Sequence, residues 1–264
     1  MPLHNWRICI LLVACLSVPA RAQDPDVGSL TFCTEIYPPL NYEEGGQVTG
    51  IAPDVLIEML QRLDAPQPRA DIVVLPWARA YARVESEKNT VLFSTVRTQA
   101  RDSAFKWIGP IAPADISVIA KKDLRADIRT IDDFSRYVVG VINQDVAHIA
   151  LMDAGAKPKF VYDVRSPMNA IPMLERGRLD LWASGATVSF WLIQHHGYSP
   201  AAYEVVYTLE QSDYYFAVNK QTDDALVKAL SAAFEDVKRD GTLKKILARY
   251  LSGGVDNLLY RRGR

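Results

Sequence analysis

Apolar and polar positions alternate along this chain in two different patterns. After Pro53, apolar residues recur every three or four positions, at Val55, Leu56, Met59, Leu60 and Leu63. This spacing predicts a helix with one buried face, and a proline is well tolerated in its first turn. Further helices are predicted at 78–86, 145–154, 167–176, 223–238 and 242–251. Short apolar runs predict strands at 30–36, 71–75, 90–94, 116–120, 137–142, 159–162, 179–183 and 214–218.

Predicted strands and helices follow one another along the whole chain, and Gly45-Gly46 marks a turn early in the series. This order predicts an α/β architecture with mainly parallel sheets. Such folds bind ligands at the carboxyl ends of their strands. Residues just after the strands are therefore the candidates for ligand binding.

The composition is that of an ordinary globular protein. The chain has 264 residues, of which 49% are hydrophobic and 23% charged, and its formal net charge is −1. A nearly balanced charge gives no electrostatic reason to expect nucleic acid or an anionic membrane as a partner. The length allows either one large domain or two smaller ones.

The first 22 residues have the pattern of a secretory signal peptide. Arg7 precedes an apolar run over 8–18, and Ala20-Arg21-Ala22 follows it. The run is too short to cross a bilayer, so we expect export to the periplasm and cleavage after Ala22. The alternative rests on Leu12-Val13-Ala14-Cys15, which resembles a bacterial lipobox and would leave Cys15 as a lipid anchor.

Cleavage after Ala22 leaves Cys33 as the last of the three cysteines. A single cysteine forms no disulfide within the chain, and its apolar surroundings predict a small buried thiol. The pair His195-His196 is expected at the surface, because adjacent histidines do not converge on one metal. We expect neither a metal nor a cofactor.

Six runs of sequence, in order, carry a resemblance to a known family. They are 35–42 (EIYPPLNY), 50–56 (GIAPDVL), 98–101 (TQAR) with Phe105 and Gly109-Pro110 behind it, 139–141 (VGV), 174–180 (LERGRLD) and 240–246 (DGTLKKI). Together they resemble the periplasmic solute-binding proteins, family 3, that serve polar amino-acid ABC importers. Other segments, among them 75–80, indicate a divergent branch of that family.

The resemblance implies a two-lobed periplasmic-binding-protein fold of type II, with a hinge and a cleft between the lobes. Carried over to this chain, the first lobe comprises 23–111 and 214–264, and the second comprises 112–213. The chain is then expected to cross between the lobes near 112–117 and 207–213.

The resemblance also implies a set of ligand-binding residues. Arg101, in the motif that Thr98 begins, is expected to clamp a carboxylate, because a guanidinium matches that group with two parallel hydrogen bonds. Ser94 occupies a position that contacts the ligand in the family. Tyr37 and Trp77 occupy positions that often provide aromatic walls, although Trp77 suits core packing equally well.

This sequence departs from the family's pattern where the ligand's amino group is bound. The acid expected shortly after Asp180 is missing from 180–185. Asp145 either replaces it or merely caps the following helix. Arg79 and Arg97 either add positive charge to the cleft, which favours a ligand with an extra carboxylate, or pair with Glu35 or Asp54.

The function expected from these features is binding of a small carboxylate-bearing solute by hinge closure. The expected partners are that ligand and ABC permease subunits in the inner membrane, with the protein itself a monomer and not an enzyme. One alternative is a dehydratase acting on cyclohexadienyl acids, with Glu35 or Asp145 as the acid. Another is a sensor protein that presents its ligand to a receptor.

Overall fold

The structure, a computed structural model, describes residues 26–65 and 67–251. The predicted signal peptide and the alternative anchor at Cys15 lie outside the described residues. The strands are β1 Thr31–Thr34, β2 Tyr42–Glu44, β3 Gln47–Thr49, β4 Val73–Val74, β5 Thr90–Val96, β6 Phe105–Lys121, β7 Val138–Val141, β8 Phe160–Asp163, β9 Leu181–Gly185 and β10 Tyr203–Asn219. The helices are α1 Ile51–Arg62, α2 Trp77–Ser86, α3 Val146–Asp153, α4 Ala170–Glu175, α5 Ala186–His195, α6 Asp224–Arg239 and α7 Thr242–Leu251.

Eight of the described strands form one sheet in the order β4-β1-β5-β10-β6-β9-β7-β8. Its middle consists of the two longest strands, β6 and β10, which run antiparallel from the Lys121–Tyr203 pair to the Phe105–Asn219 pair. On one side, β5, β1 and β4 continue the sheet, and β1 is parallel to both of its neighbours. On the other side, β9, β7 and β8 continue it, and β7 is parallel to both of its neighbours. The prediction of mainly parallel sheets therefore holds in each flank and is wrong for the antiparallel centre.

A short part of the sheet consists of β6 and β10 alone. The pairing of β10 with β5 reaches Tyr214, and the pairing of β6 with β9 begins at Ile116. Between these points, 113–115 pairs only with 211–213. This two-strand link lies inside both predicted crossings, 112–117 and 207–213. The lobe boundaries themselves remain a prediction.

The apolar stripe predicted after Pro53 forms the buried face of α1. Val55, Leu56, Met59 and Leu60 are all buried there, and α1 packs against α6 and α7. The helix begins at Ile51, two residues before the proline. Cys33 lies in the same core with no exposed surface, and burial raises the pKa of its thiol to about 12. The prediction of a small buried thiol is confirmed.

Helix α5 is the main element that the sequence pattern did not predict. Six of its ten residues are buried, including Thr187 and Ser189, so no polar face alternates with an apolar one.

The predicted strands 116–120 and 214–218 are parts of β6 and β10, which have 17 residues each. Among the described residues, no helix is long and apolar enough to span a bilayer.

Candidate ligand-binding cleft

The candidate site lies where the carboxyl ends of strands from the two flanks of the sheet face each other. Tyr37 follows β1, Trp77 begins α2 just after β4, and Arg101 follows β5. From the other flank, Asp145 follows β7 and Gly185 ends β9. This is the position that the α/β pattern predicts for a ligand.

Six of the eight predicted site residues line one small internal space, which we call the inner pocket. They are Glu35, Tyr37, Trp77, Ser94, Arg101 and Asp145, and they are joined there by Val96, Val146 and Tyr214. The volume of the inner pocket is about 10 Å³, which is room for one water molecule at most. The predicted residues are therefore together, but they pack against one another.

Arg101 is a buried cation with an unused donor. Its side chain is only 6% exposed, and its Nη1 has no hydrogen-bond partner. Nη2 donates to the carbonyl of Gln144 over 3.5 Å, and the guanidinium lies 5.3 Å from the Trp77 ring centre. Burial lowers the pKa of Arg101, whereas Tyr81, Asp145 and Glu210 act in the opposite direction. A carboxylate bound here would satisfy the unused nitrogen.

The spacing of Thr98 and Arg101 has a local structural reason. The backbone N–H of Arg101 donates to the carbonyl of Thr98 at 3.1 Å and to its Oγ1 at 3.3 Å. Thr98 thereby fixes the turn that follows β5 and directs Arg101 inward. Its side chain borders a larger cavity, described below, and not the inner pocket.

Asp145 both caps α3 and belongs to the inner pocket. Its Oδ1 accepts a 2.8 Å hydrogen bond from the backbone N–H of His148, and only 6% of the residue is exposed. Burial raises the pKa of Asp145 to about 7, although its helix N–H bonds and Arg101 lower it. The pKa of Glu35 is raised by burial and by the charge of Asp145, and Arg101 lowers it. The capping role is therefore present, and it leaves the carboxylate next to Arg101.

The hydroxyl of Tyr37 contacts the end of the segment 180–185, from which the acid implied by the family resemblance is missing. This hydroxyl accepts a hydrogen bond from the N–H of Gly185 at 3.0 Å and lies 3.3 Å from Ser184 Oγ and from Tyr214 Oη. A Cβ on Gly185 would lie 2.9 Å from Tyr37 Oη and 2.5 Å from Tyr214 Oη, so only glycine fits. Asp180 lies outside this group, and its Oδ2 accepts from the N–H of Val138 at 2.8 Å.

Ser94 combines backbone strain with an unsatisfied side chain. Its φ is 57°, in the left-handed region that a non-glycine residue rarely adopts. Its Oγ is buried without a hydrogen-bond partner. Strain of this kind costs about 1–3 kcal/mol and is concentrated at binding sites.

A second and much larger space, which we call the outer cavity, adjoins the inner pocket at Trp77, Arg101 and Val146. Its volume is about 820 Å³, within the range of pockets that hold small molecules. The other residues that line it are Tyr81, Thr98, Gln99, Ala100, Gln144, Ile149, Ala150, Asp153 and Glu210.

Sequence reasoning missed several residues of this site. Tyr81 lies four residues after Trp77 on α2, so helical spacing alone could have found it. Glu210 comes from the middle of β10, and Ser184 comes from the end of β9. Nothing local in the sequence connects either of them to Arg101.

Arg97 is not brought into either space around Arg101. Its side chain is 42% exposed, and its Nη2 forms a 2.6 Å ion pair with Asp102. Its guanidinium also lies 5.8 Å from the ring centres of Trp107 and Tyr215. Arg97 therefore follows neither of the two alternatives for it: it pairs with neither Glu35 nor Asp54, and it adds no positive charge to either space.

The two adjacent histidines, His195 and His196, differ in exposure. His195 is exposed at the end of α5, and its ring stacks on Trp191 with 4.6 Å between centres. His196 is half-buried and bonds to the carbonyl of Met168 at 2.8 Å, so a surface position is confirmed for His195 only. In the described part of the chain, no group of three or more His, Cys, Asp or Glu residues is placed to hold a metal.

The chain is similar to proteins of one large family. Residues 30–253 match the sequence model of the bacterial extracellular solute-binding proteins, family 3. A probable amino-acid-binding protein of Bacillus subtilis (strain 168), YxeM, is 24% identical to this chain over 97% of it and 98% of the relative.

Solved structures share the fold at lower identity. One is a histidine-bound substrate-binding protein of an ABC uptake transporter from Streptococcus pneumoniae, with a TM-score of 0.74 and 14% identity over 85% of this chain and 93% of that one. Another is the ancestral amino-acid-binding protein AncCDT-1, a precursor of cyclohexadienyl dehydratase, with a TM-score of 0.70 and 18% identity over 85% and 96%. The predicted two-lobed α/β fold class is confirmed.

Proposed function

Because the chain belongs to the bacterial extracellular solute-binding proteins, family 3, we propose that its cleft binds a solute of the α-amino-acid type. The observation that carries this proposal is the unused Nη1 of buried Arg101, which lies beside the buried carboxyl group of Asp145. Arg101 takes the solute's carboxylate. Asp145, supported by Glu35, takes its ammonium group in place of the acid that is missing after Asp180.

The energetics favour these two assignments. A buried guanidinium with an unpaired nitrogen is costly, and a carboxylate forms two parallel bonds with it. Each charge-assisted hydrogen bond contributes about 1.5–3 kcal/mol net. An ammonium group beside Asp145 stabilises the ionised carboxylate that burial otherwise disfavours.

Entry of a solute requires the two flanks of the sheet to separate. The inner pocket, at about 10 Å³, is too small for an amino-acid head group. We place the movement at the two-strand link, 113–115 and 211–213, where β6 and β10 have no other sheet neighbour. Closure of the lobes, 23–111 with 214–264 against 112–213, then traps the solute between them.

The closed protein delivers its solute to the permease subunits of an ABC importer in the inner membrane. The relative described as a probable amino-acid-binding protein supports an amino-acid solute, and the histidine-bound neighbour is described as the substrate-binding protein of an ABC uptake transporter. Export through the predicted signal peptide would place the protein in the periplasm, where it acts as a monomer. The match to an extracellular solute-binding family supports the first two of these proposals, and the monomeric state is proposed with them.

One observation favours a second candidate function. Burial keeps a proton on Asp145 up to a pH of about 7, as a general acid requires. A dehydratase of cyclohexadienyl acids would use such a group. Turnover of prephenate or arogenate by the purified protein would support this candidate, and we expect no turnover.

The proposed function is tested by a thermal-shift screen of the purified protein. Amino acids, amines, dicarboxylates and short peptides are compared at equal concentration. We expect stabilisation by compounds that carry both an α-carboxylate and an α-ammonium group, and by no amine or simple dicarboxylate. Stabilisation by dicarboxylates alone would contradict the assignment of Asp145.

A further inference from the structure

The outer cavity has acidic walls. Among its described lining residues, the charged ones are Arg101, Asp153 and Glu210. Arg101 lies at the junction with the inner pocket, where two more carboxyl groups, Glu35 and Asp145, face the same guanidinium. The two spaces together are therefore lined by four acidic residues and a single arginine.

Glu210 and Arg101 are electrostatically linked. Glu210 is half-buried on β10, and its pKa is raised by burial and lowered by the charge of Arg101. In the proposed complex, the solute's carboxylate neutralises Arg101. Glu210 then loses the cation that offsets its burial, and a partly buried carboxylate without a partner is unfavourable.

The arginines that would suit a second carboxylate on the solute lie elsewhere. Arg97 is paired with Asp102 outside the cavity. Arg79 is exposed on α2 and lines neither of the two spaces. Neither arginine therefore adds positive charge to the two spaces, and their placement gives no support to the alternative of a ligand with an extra carboxylate.

One face of α3 connects the two spaces. Val146 borders both, Ile149 and Ala150 line the outer cavity one turn further on, and Asp153 lies at the end of the helix. At 1.5 Å per residue, Val146 and Asp153 are about 10 Å apart along the helix axis. Together with Trp77 on α2, this face forms an apolar surface between two acidic regions. One is Glu35 and Asp145 in the inner pocket, and the other is Asp153 and Glu210 in the outer cavity.

We propose that the solute is dibasic, with a second cationic group at the end of an aliphatic side chain that lies in the outer cavity beside Glu210 and Asp153. This inference rests on the proposed function, since it needs the solute's carboxylate at Arg101. The side-chain cation, an ammonium or a guanidinium, replaces Arg101 as the charge partner of Glu210. The methylene groups pack against Trp77, Ile149 and Ala150.

Pairs of similar amino acids that differ in charge test the inference. Isothermal titration calorimetry on the full protein compares arginine with citrulline, and lysine with norleucine. We expect each cationic member to bind at least 10-fold more tightly than its neutral partner. Glu210→Gln should bring the arginine-to-citrulline ratio toward 1. Glu204→Gln, the same change on the same strand but outside both spaces, should leave the ratio as it is.

The possible results separate the two proposals. Equal binding of arginine and citrulline overturns the dibasic assignment and leaves the amino-acid site intact. A Glu210→Gln variant that keeps the full ratio overturns the placement of the side-chain cation beside Glu210. If no amino acid binds, or if Arg101→Ala binds them all as well as the unaltered protein does, the proposed function fails and the dibasic assignment fails with it.

Discussion

The indole Nε1 of Trp77 donates a 2.9 Å hydrogen bond to the backbone carbonyl of Gln144. Trp77 begins α2 beside β4, and Gln144 lies between β7 and α3, so this bond joins the two flanks of the sheet across the cleft. The bond from the N–H of Gly185 to Tyr37 Oη joins the same flanks deeper in the site. The protein thus holds its cleft closed with its own side chains.

Loss of the Trp77 bond should shift the protein toward an open form. Trp77→Phe keeps an aromatic wall but removes the donor, at a cost of about 0.5–1.5 kcal/mol to the closed state. We expect a larger radius of gyration for the ligand-free protein in small-angle scattering. Trp107→Phe is the matched control, because its Nε1 donates to the carbonyl of Asp102, five residues earlier in the chain, and not across the cleft. An equal change in both variants would contradict the cross-cleft role of Trp77.

Removal of the proposed carboxylate clamp should abolish binding. Arg101→Ala deletes the buried guanidinium that faces both spaces. The stabilisation expected at 100 times the Kd, about 2.7 kcal/mol, should disappear from thermal melts. Arg97→Ala, four residues earlier and paired with exposed Asp102, should retain it. Retained stabilisation in Arg101→Ala would refute the clamp.

Neutralising Asp145 should stabilise the ligand-free protein at neutral pH. Its pKa is raised from 3.8 to about 7 by burial, so the folded state holds a proton that the unfolded chain releases above pH 4. The free energy of unfolding therefore falls as pH rises from about 4 to 7. Asparagine caps helices as well as aspartate and cannot ionise.

The Asp145→Asn variant should accordingly show a flatter stability curve between pH 4 and 7. It should be more stable than the unaltered protein at pH 7.5 by up to about 4 kcal/mol. Glu35 and Arg101, the charged groups that act on Asp145 or are acted on by it, are present in both proteins. Urea unfolding across this pH range is the measurement, and Asp223→Asn at the exposed cap of α6 is the control. Parallel curves would rule out a buried, protonated Asp145.

A methyl group at Gly185 should disrupt the closed cleft. A Cβ there meets Tyr214 Oη at 2.5 Å and Tyr37 Oη at 2.9 Å. Overpacking of this kind costs about 1–3 kcal/mol, so Gly185→Ala should lower the melting temperature. Addition of Tyr214→Phe, which removes the nearer oxygen, should restore part of the loss. A Gly185→Ala variant as stable as the unaltered protein would show that the site accommodates a Cβ beside the two tyrosine hydroxyls without steric strain.

The local features of this protein are determined by its sequence. The helical stripe of α1, the buried thiol of Cys33 and the turn that joins Thr98 to Arg101 follow from residues that are neighbours along the chain. Positions after strands also share one edge of an α/β sheet, which explains why six predicted site residues meet around one pocket. Local propensity and short-range hydrogen bonds are sufficient for these features.

The tertiary structure alone decided which distant residues complete the site. Arg97 and Arg101 lie on the same turn, yet one points to Asp102 and the other into the cleft. Glu210 reaches Arg101 because the register of β10 against β6 places it there, and a shift of one residue would turn its side chain to the other face of the sheet. The contribution of Glu210 to the charge of the outer cavity is thus determined by pairing between distant strands, which no local pattern in the sequence predicts.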